Sequence, residues 1–261
     1  MEIKIKRAIK AGNSSAIILP RAWLNKEIRV ELAKKTTEMI LLDVIGIASK
    51  YIDSKNIIGI YLTGSYARQE ENLESDIDVL IITNDIDKKI IKEGQYSILI
   101  ISTQLLTQKL NQDLLPIGQM IKEAKPLLNS EYLNLINVKV TKNNIKGYIN
   151  STKEKLIIIR KVLNKIKKAN KNNLSDAIAY TLILRIRTLH IIEKLIKNEN
   201  YSKEEFTKII KKISGGTNAY ERYLAMKNDL SDKKTLTIDE GETLYYYLEN
   251  QLIKVKKLID K

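Results

Sequence analysis

Apolar residues recur along the chain with two periods, and the change from one to the other divides it. Ile3, Ile5 and Ile9 alternate with Lys4 and Lys6, residues 17–19 follow the loop Gly12-Asn13-Ser14, and Ile28, Val30 and Leu32 alternate with Arg29 and Glu31. A two-residue period predicts three short strands here, with Pro20 stopping the second and one turn forming around Ala22-Trp23-Leu24. From 36 to 52 the spacing of Met39, Ile40, Val44, Ile47, Ala48 and Tyr51 is helical. Three almost uninterrupted apolar runs follow at 57–62, 79–83 and 96–102, a pattern that suits strands covered on both faces. Helices are predicted over 103–113 and 117–124. Beyond Pro126 nearly every segment is helical in spacing: 142–169, 174–198, 203–213, 217–228 and 238–259. Gly215-Gly216 and the polar residues 231–234 punctuate that region.

The order predicts three parts: a small β module over 1–34, an α/β domain over 35–130 and an α-helical bundle over 131–261. A β segment of roughly 30 residues cannot bury both an apolar face and its edges alone.

Composition narrows the chemistry. The 261 residues carry a net charge of +14, and residues 131–261 contribute +12 of it while 49–130 are slightly acidic. Such a balance favours polyanionic partners, nucleic acid or nucleotide phosphates. One His and no Cys exclude a zinc cluster, a disulfide frame and a Cys nucleophile. The first 12 residues lack an apolar h-region and no apolar run approaches the roughly 18 residues of a membrane span, so a soluble, cytoplasmic protein with no membrane contact is expected.

Candidate chemistry concentrates in residues 60–83, IYLTGSYARQEENLESDIDVLIIT. A strand ends near Thr63, the small Gly64-Ser65 turn lets backbone approach a ligand, a helix opens near Tyr66, and a second strand presents Asp76 and Asp78. Two apart on a strand, these carboxylates share a face and repel unless a cation lies between them. Their hard oxygens select Mg²⁺ or Mn²⁺, which keep waters and take phosphate oxygens as further ligands.

Gly64-Ser65, ten residues, then Asp76-x-Asp78 resembles the signature of the DNA polymerase β-type nucleotidyltransferase superfamily, and within it the minimal nucleotidyltransferases. Ala67, Arg68 and Ser75 agree with the flanks of that pattern. The resemblance implies an α/β nucleotidyltransferase core, a short mixed sheet flanked by helices. It also implies that Gly64, Ser65 and Arg68 hold the triphosphate of ATP or another NTP, while Asp76 and Asp78 hold the metal and are the catalytic pair. The family commonly has Gly where Gln69 stands. Active members carry a third carboxylate on a neighbouring strand as metal ligand and general base; residues 96–101 offer Ser97 or Leu99 there, with Glu93 just upstream, so impaired turnover is expected.

The stretch KAGNSSAIILPRAWLNKEIRVEL resembles the AbrB-like swapped-hairpin family, which implies a homodimer through residues 1–34 and often DNA binding. The helical region resembles the substrate-binding bundle of kanamycin-type nucleotidyltransferases and HEPN bundles. Arg185-x4-His190 matches the letters of HEPN ribonucleases, yet five residues on one helix leave those side chains about 140° apart. Arg185 falls inside the apolar stripe of Ile178, Leu182, Leu189, Ile192 and Ile196 and needs an anionic partner. That partner is either a nucleotide, met by Arg185 or Arg187, or an acid such as Asp176 or Glu221. The Lys-rich helix faces read as solvated, and at least one of Tyr245, Tyr246 and Tyr247 as core. The leading function is metal-dependent transfer of a nucleoside monophosphate, AMP from ATP, to a hydroxyl of a protein, RNA or small molecule. The alternatives are a DNA-binding regulator or antitoxin-like protein on a degenerate nucleotidyltransferase fold, and a ribonuclease.

Overall fold

The computed structural model describes residues 4, 6, 8–31, 35–72, 75–169, 172–227 and 236–260. Ile3, Ile5, Arg7 and Leu32 of the expected strands, and the polar residues 231–234, lie outside these. Two compact units are distinguished, Met1–Asp43 and Val44–Lys261, with helix α1 (Thr37–Ala48) running across the division.

In the first unit, β1 (Ile9–Ala11) pairs antiparallel with β2 (Ser14–Ala16) around Gly12, whose φ of +60° suits glycine. A single 3₁₀ turn covers Arg21–Trp23, where one turn was expected. Residues 17–19 and 28–31 are not strands, contrary to expectation. Alternation sets only which way side chains point; a ladder needs a partner edge, and Ile18, Leu24 and Val30 stand exposed, Leu24 at 72%.

The second unit is built on a five-stranded sheet. Its strands are β3 (Ile57–Thr63), β4 (Ile77–Thr83), β5 (Lys88–Glu93), β6 (Tyr96–Ser102) and β7 (Lys125–Leu128), in the order β5-β6-β4-β3-β7. β4 and β6 are parallel and the other pairs antiparallel, so the sheet is mixed. The short helix α2 (Gly64–Arg68) leaves the end of β3, while α3 (Thr103–Gln112) and α4 (Ile117–Glu123) follow β6. Tyr61, Leu80, Ile82 and Ile101 of the sheet bury against Leu106, Ile117 and Ile121 of these two helices. Each such side chain contributes about 1.5–3 kcal/mol when fully buried. A further short helix, α5 (Ser130–Leu135), begins at Asn129, whose side chain accepts from the Tyr132 N–H.

The helical region comprises α6 (Lys142–Lys168), α7 (Asp176–Ile196), α8 (Lys203–Ser214), α9 (Asn218–Lys227) and α10 (Ile238–Ile259). Two-residue strands β8 (Asn173–Leu174) and β9 (Leu236–Thr237) pair beside them. Reciprocal caps start the two long outer helices, Thr141 with Asn144 and Thr237 with Glu240. α7 is central: Leu182, Ile183, Ile186, Leu189 and Ile192 are fully buried in one core with residues of α6, α8, α9 and α10. Tyr245 is buried and Tyr246 exposed, so the expected core ring is the first of the three.

Candidate active site

The site forms where β3 and β4 end side by side. Thr63 pairs with Asp78 across the ladder and its hydroxyl donates to the Asp78 carbonyl at 3.2 Å. The next residue, Gly64, turns the chain at φ +68°, and a Cβ on it would fall 2.2 Å from Asp78 Oδ2. Glycine is therefore needed twice, for its conformation and for the approach of that carboxylate. Ahead of β4, Ser75 closes a turn by accepting the Asn72 N–H at 2.9 Å, which delivers Asp76 to the start of the strand.

The expected pair of acids is together. Burial pushes the Asp78 carboxyl above its ordinary range, the neighbouring Asp76 and Glu123 charges push it further, and Lys227 and Arg68 oppose them. Lys227 closes α9, so the charge of a cation in the helical region reaches the Asp78 carboxylate.

Glu123, at the end of α4, has no precedent in the motif. Its Oε1 accepts the Gly64 N–H at 2.8 Å, and its Oε2 accepts from Arg68 Nη1 at 2.6 Å and Gln119 Nε2 at 3.2 Å. Arg68 also donates through Nε to Glu70 Oε2 at 2.8 Å. Burial would push the Glu70 carboxyl up, but hydrogen bonds from Arg68 and Ser202 outweigh it and hold the group below its ordinary range. Glu70 receives the Ser202 hydroxyl at 2.8 Å and the Lys203 N–H at 2.9 Å, and so joins α2 to the start of α8. Gln69, where the family has glycine, sits in the left-handed region at φ +59°, which glycine adopts without cost.

Of the two positions weighed for a third acid, the register puts Ser97 directly beside Asp78. Asp78 lies beside Ser97 on β6, and Ser97 beside Lys92 on β5; Leu99 lies two pairs further on, next to Leu80. Ser97 thus stands where a carboxylate would complete the row. Glu93 ends β5 opposite Tyr96 and is ion-paired with Lys50.

On α7 the two arginines and the histidine meet different partners. Arg185, expected at the nucleotide, donates to Ser151 of α6 at 2.9 Å. Arg187, about 200° further round the helix, lies over the Tyr201 ring with its carbon 5.4 Å from the centroid and donates to the Tyr201 hydroxyl at 3.2 Å. Arg68 lies at the same distance from that ring, so one tyrosine carries both guanidinium groups. Burial works against the Arg187 charge, and the oxygens of Tyr201 and Tyr223 hold its pKa up nonetheless. His190 is buried between Tyr201 and Phe206, and burial lowers its pKa. Arg185 and His190 therefore look in different directions. Asp176, weighed as a partner for Arg185, instead pairs with Arg222.

The sequence matches the Nucleotidyltransferase domain family over residues 46–213. The chain belongs to that family. Among solved structures it is similar to a nucleotidyltransferase-like protein from Exiguobacterium sibiricum, with 16% identity over 82% of this chain and 75% of that one, at a TM-score of 0.36. It is also similar to the spectinomycin adenyltransferase AAD(9) from Enterococcus faecialis, solved with ATP and spectinomycin. That match has 14% identity over 81% of this chain and 99% of the other, at a TM-score of 0.43. No curated protein matches the sequence.

Nucleotidyltransferases of this family commonly use an NTP and a divalent metal, and the donor set here fits one in part. No group of three or more acidic or imidazole side chains able to hold a metal occurs among the described residues. Asp76 and Asp78 supply two hard oxygen donors, which suits an ion that completes its shell with water and phosphate oxygens. The crowding of Asp78 by two other acids is what such an ion would relieve.

Proposed function

We propose that this nucleotidyltransferase transfers a nucleoside monophosphate, AMP from ATP, to a hydroxyl of a protein, RNA or small molecule. The observation that carries the reading is the crowded Asp78: a carboxyl raised by burial and by Asp76 and Glu123, over a glycine that admits nothing larger. Mg²⁺ or Mn²⁺ held by Asp76 and Asp78 would supply charge neutralisation at the transferring phosphate. Gly64 and Ser65 offer backbone and hydroxyl donors to the triphosphate. Arg68, Arg187 and Lys227 bring positive charge from three elements, Arg187 being one of the two arginines of α7 expected to meet a nucleotide.

In the transfer, the acceptor oxygen bonds to the α-phosphorus, the bond from that phosphorus to the bridging oxygen breaks, and pyrophosphate leaves. With Ser97 beside Asp78 in the register, the acceptor proton passes to water, and slow turnover is expected. Pyrophosphate release from ATP that requires Mg²⁺ or Mn²⁺ and disappears in Asp76→Asn tests the reading. Silence with all four nucleoside triphosphates and either metal would overturn it.

A second reading concerns residues 1–34, where exposed Ile18, Leu24 and Val30 favour an AbrB-like module completed by a second copy. A homodimer formed there would present duplicated basic hairpins to DNA, in line with a regulator or antitoxin-like role. Deletion of 1–34 should then yield a monomer without salt-sensitive DNA affinity; a truncated protein that remains dimeric and binds DNA unchanged refutes it.

A further inference from the structure

The donors that a triphosphate would use are already taken. The Gly64 N–H lies 2.8 Å from Glu123 Oε1, and Arg68 Nη1 lies 2.6 Å from Glu123 Oε2. Glu123 is no loose surface acid: its side chain is 6% exposed, and the Gln119 amide donates to the same Oε2. A carboxylate that receives a backbone N–H on one oxygen and a guanidinium on the other offers the same charge and acceptor geometry as one edge of a phosphate. It does so at an electrostatic cost, because it adds a third negative charge to Asp76 and Asp78. The ion pair with Arg68 offsets part of that cost, but Arg68 already has Glu70 on its Nε, and an uncharged amide would brace Gly64 equally well.

We propose that Glu123 is an internal competitor for the phosphate position: it holds Gly64 and Arg68 while the site has no nucleotide, and withdraws when a triphosphate takes both donors. This rests on the nucleotidyl-transfer reading above. Arg68 would keep its second anchor, Glu70 on Nε, so the guanidinium stays in place while its Nη1 changes partner. Nucleotide affinity is set by exchange of one anion for another rather than by filling of open donors, and the side chain acts as a gate against weakly charged competitors.

The test is MgATP affinity of the full chain, by isothermal titration, for the wild type, Glu123→Gln and Gln119→Met. Glu123→Gln keeps an amide oxygen for Gly64 but removes the competing charge, so Kd should fall roughly tenfold, the worth of one charge-assisted hydrogen bond. Gln119→Met removes one anchor of the carboxylate and should tighten binding about threefold; it decides the matter if Glu123→Gln does not fold. A bracing role predicts the opposite sign, weaker binding with a lower Tm. Unchanged or weaker binding in the variants, with a wild type that binds MgATP, overturns Glu123 as competitor and leaves the transferase reading standing. Absence of MgATP binding in the wild type overturns the transferase reading, and Glu123 as competitor with it.

Discussion

Gly64 and Asp78 occupy one shared space: the carboxylate lies where a side chain on residue 64 would have to be, 2.2 Å from an ideal Cβ. The turn after β3 and the acidic end of β4 are therefore a single construction. Gly64→Ala must both force a non-glycine residue to φ +68° and push Asp78 aside. The first effect alone costs about 1 kcal/mol or more, and with the clash we expect at least about 2 kcal/mol of lost stability in denaturant titrations. Pyrophosphate release should vanish with it. An Ala variant of wild-type stability would show that Asp78 moves freely.

Asp78→Asn should stabilise the ligand-free protein while abolishing transfer. The folded Asp78 carboxyl has a raised pKa, so the native state holds that proton more tightly than the unfolded chain. Stability from this group is then lost as pH rises from the ordinary carboxyl range through the folded pKa, so a penalty is present once the group ionises. Asn carries no such penalty. Its Tm should exceed that of the wild type at pH 7, converge with it below the ordinary carboxyl range, and lose its advantage when Mg²⁺ is added to the wild type. A lower Tm at pH 7 without metal would contradict the crowding of charge.

What the sequence disclosed and what it did not follow from range. Gly64-Ser65 and Asp76-x-Asp78 were legible because their chemistry lies in one short segment, and the central strands because burial on both faces leaves unbroken apolar runs. β5 was missed since KKIIKE is Lys-flanked, as suits an edge strand, with Ile90 exposed and Ile91 buried. β7 was missed because Pro126 reads as a breaker, although an edge strand tolerates it. Glu123 is separated from Asp78 by 45 residues, and only the fold brings it beside Gly64. The stripe of α7 rightly marked Arg185 as needing a partner, but helical spacing cannot say that the partner is the Ser151 hydroxyl and that Arg187 meets Tyr201.

Glu70 is the polar link between α2 and α8, and its loss should be felt at both ends. Glu70→Gln removes the charge that Arg68 Nε, the Ser202 hydroxyl and the Lys203 N–H all address. We expect a loss of about 1–2 kcal/mol, with faster hydrogen exchange confined to the first turn of α8. Since the Glu70 carboxyl is held below its ordinary range, its contribution is present at neutral pH and declines as pH falls through the folded pKa. Uniform exchange across the helical region would instead mean that apolar packing alone fixes α8.

Glu193 should dominate the acid sensitivity of the helical core. Its carboxylate accepts from Lys197 at 2.6 Å and Lys254 at 2.8 Å, and the Gln251 amide on α10 reaches it as well. Burial raises its pKa, but the hydrogen bonds from Lys197 and Lys254 outweigh burial and take it down to about 2, against 4.5 in the unfolded chain. The native state thus binds this proton less readily than the unfolded state, so its stabilisation is whole above pH 4.5 and drains away between there and about pH 2. Glu193→Gln should cost about 2 kcal/mol at pH 7 and flatten the dependence of Tm on pH across that window. Both lysines are partly exposed, so salt should weaken the wild type more than the variant. Parallel acid-denaturation curves for the two proteins would place the acid-labile contact elsewhere, with Glu70 the next group to examine because it too is ionised more readily in the folded state.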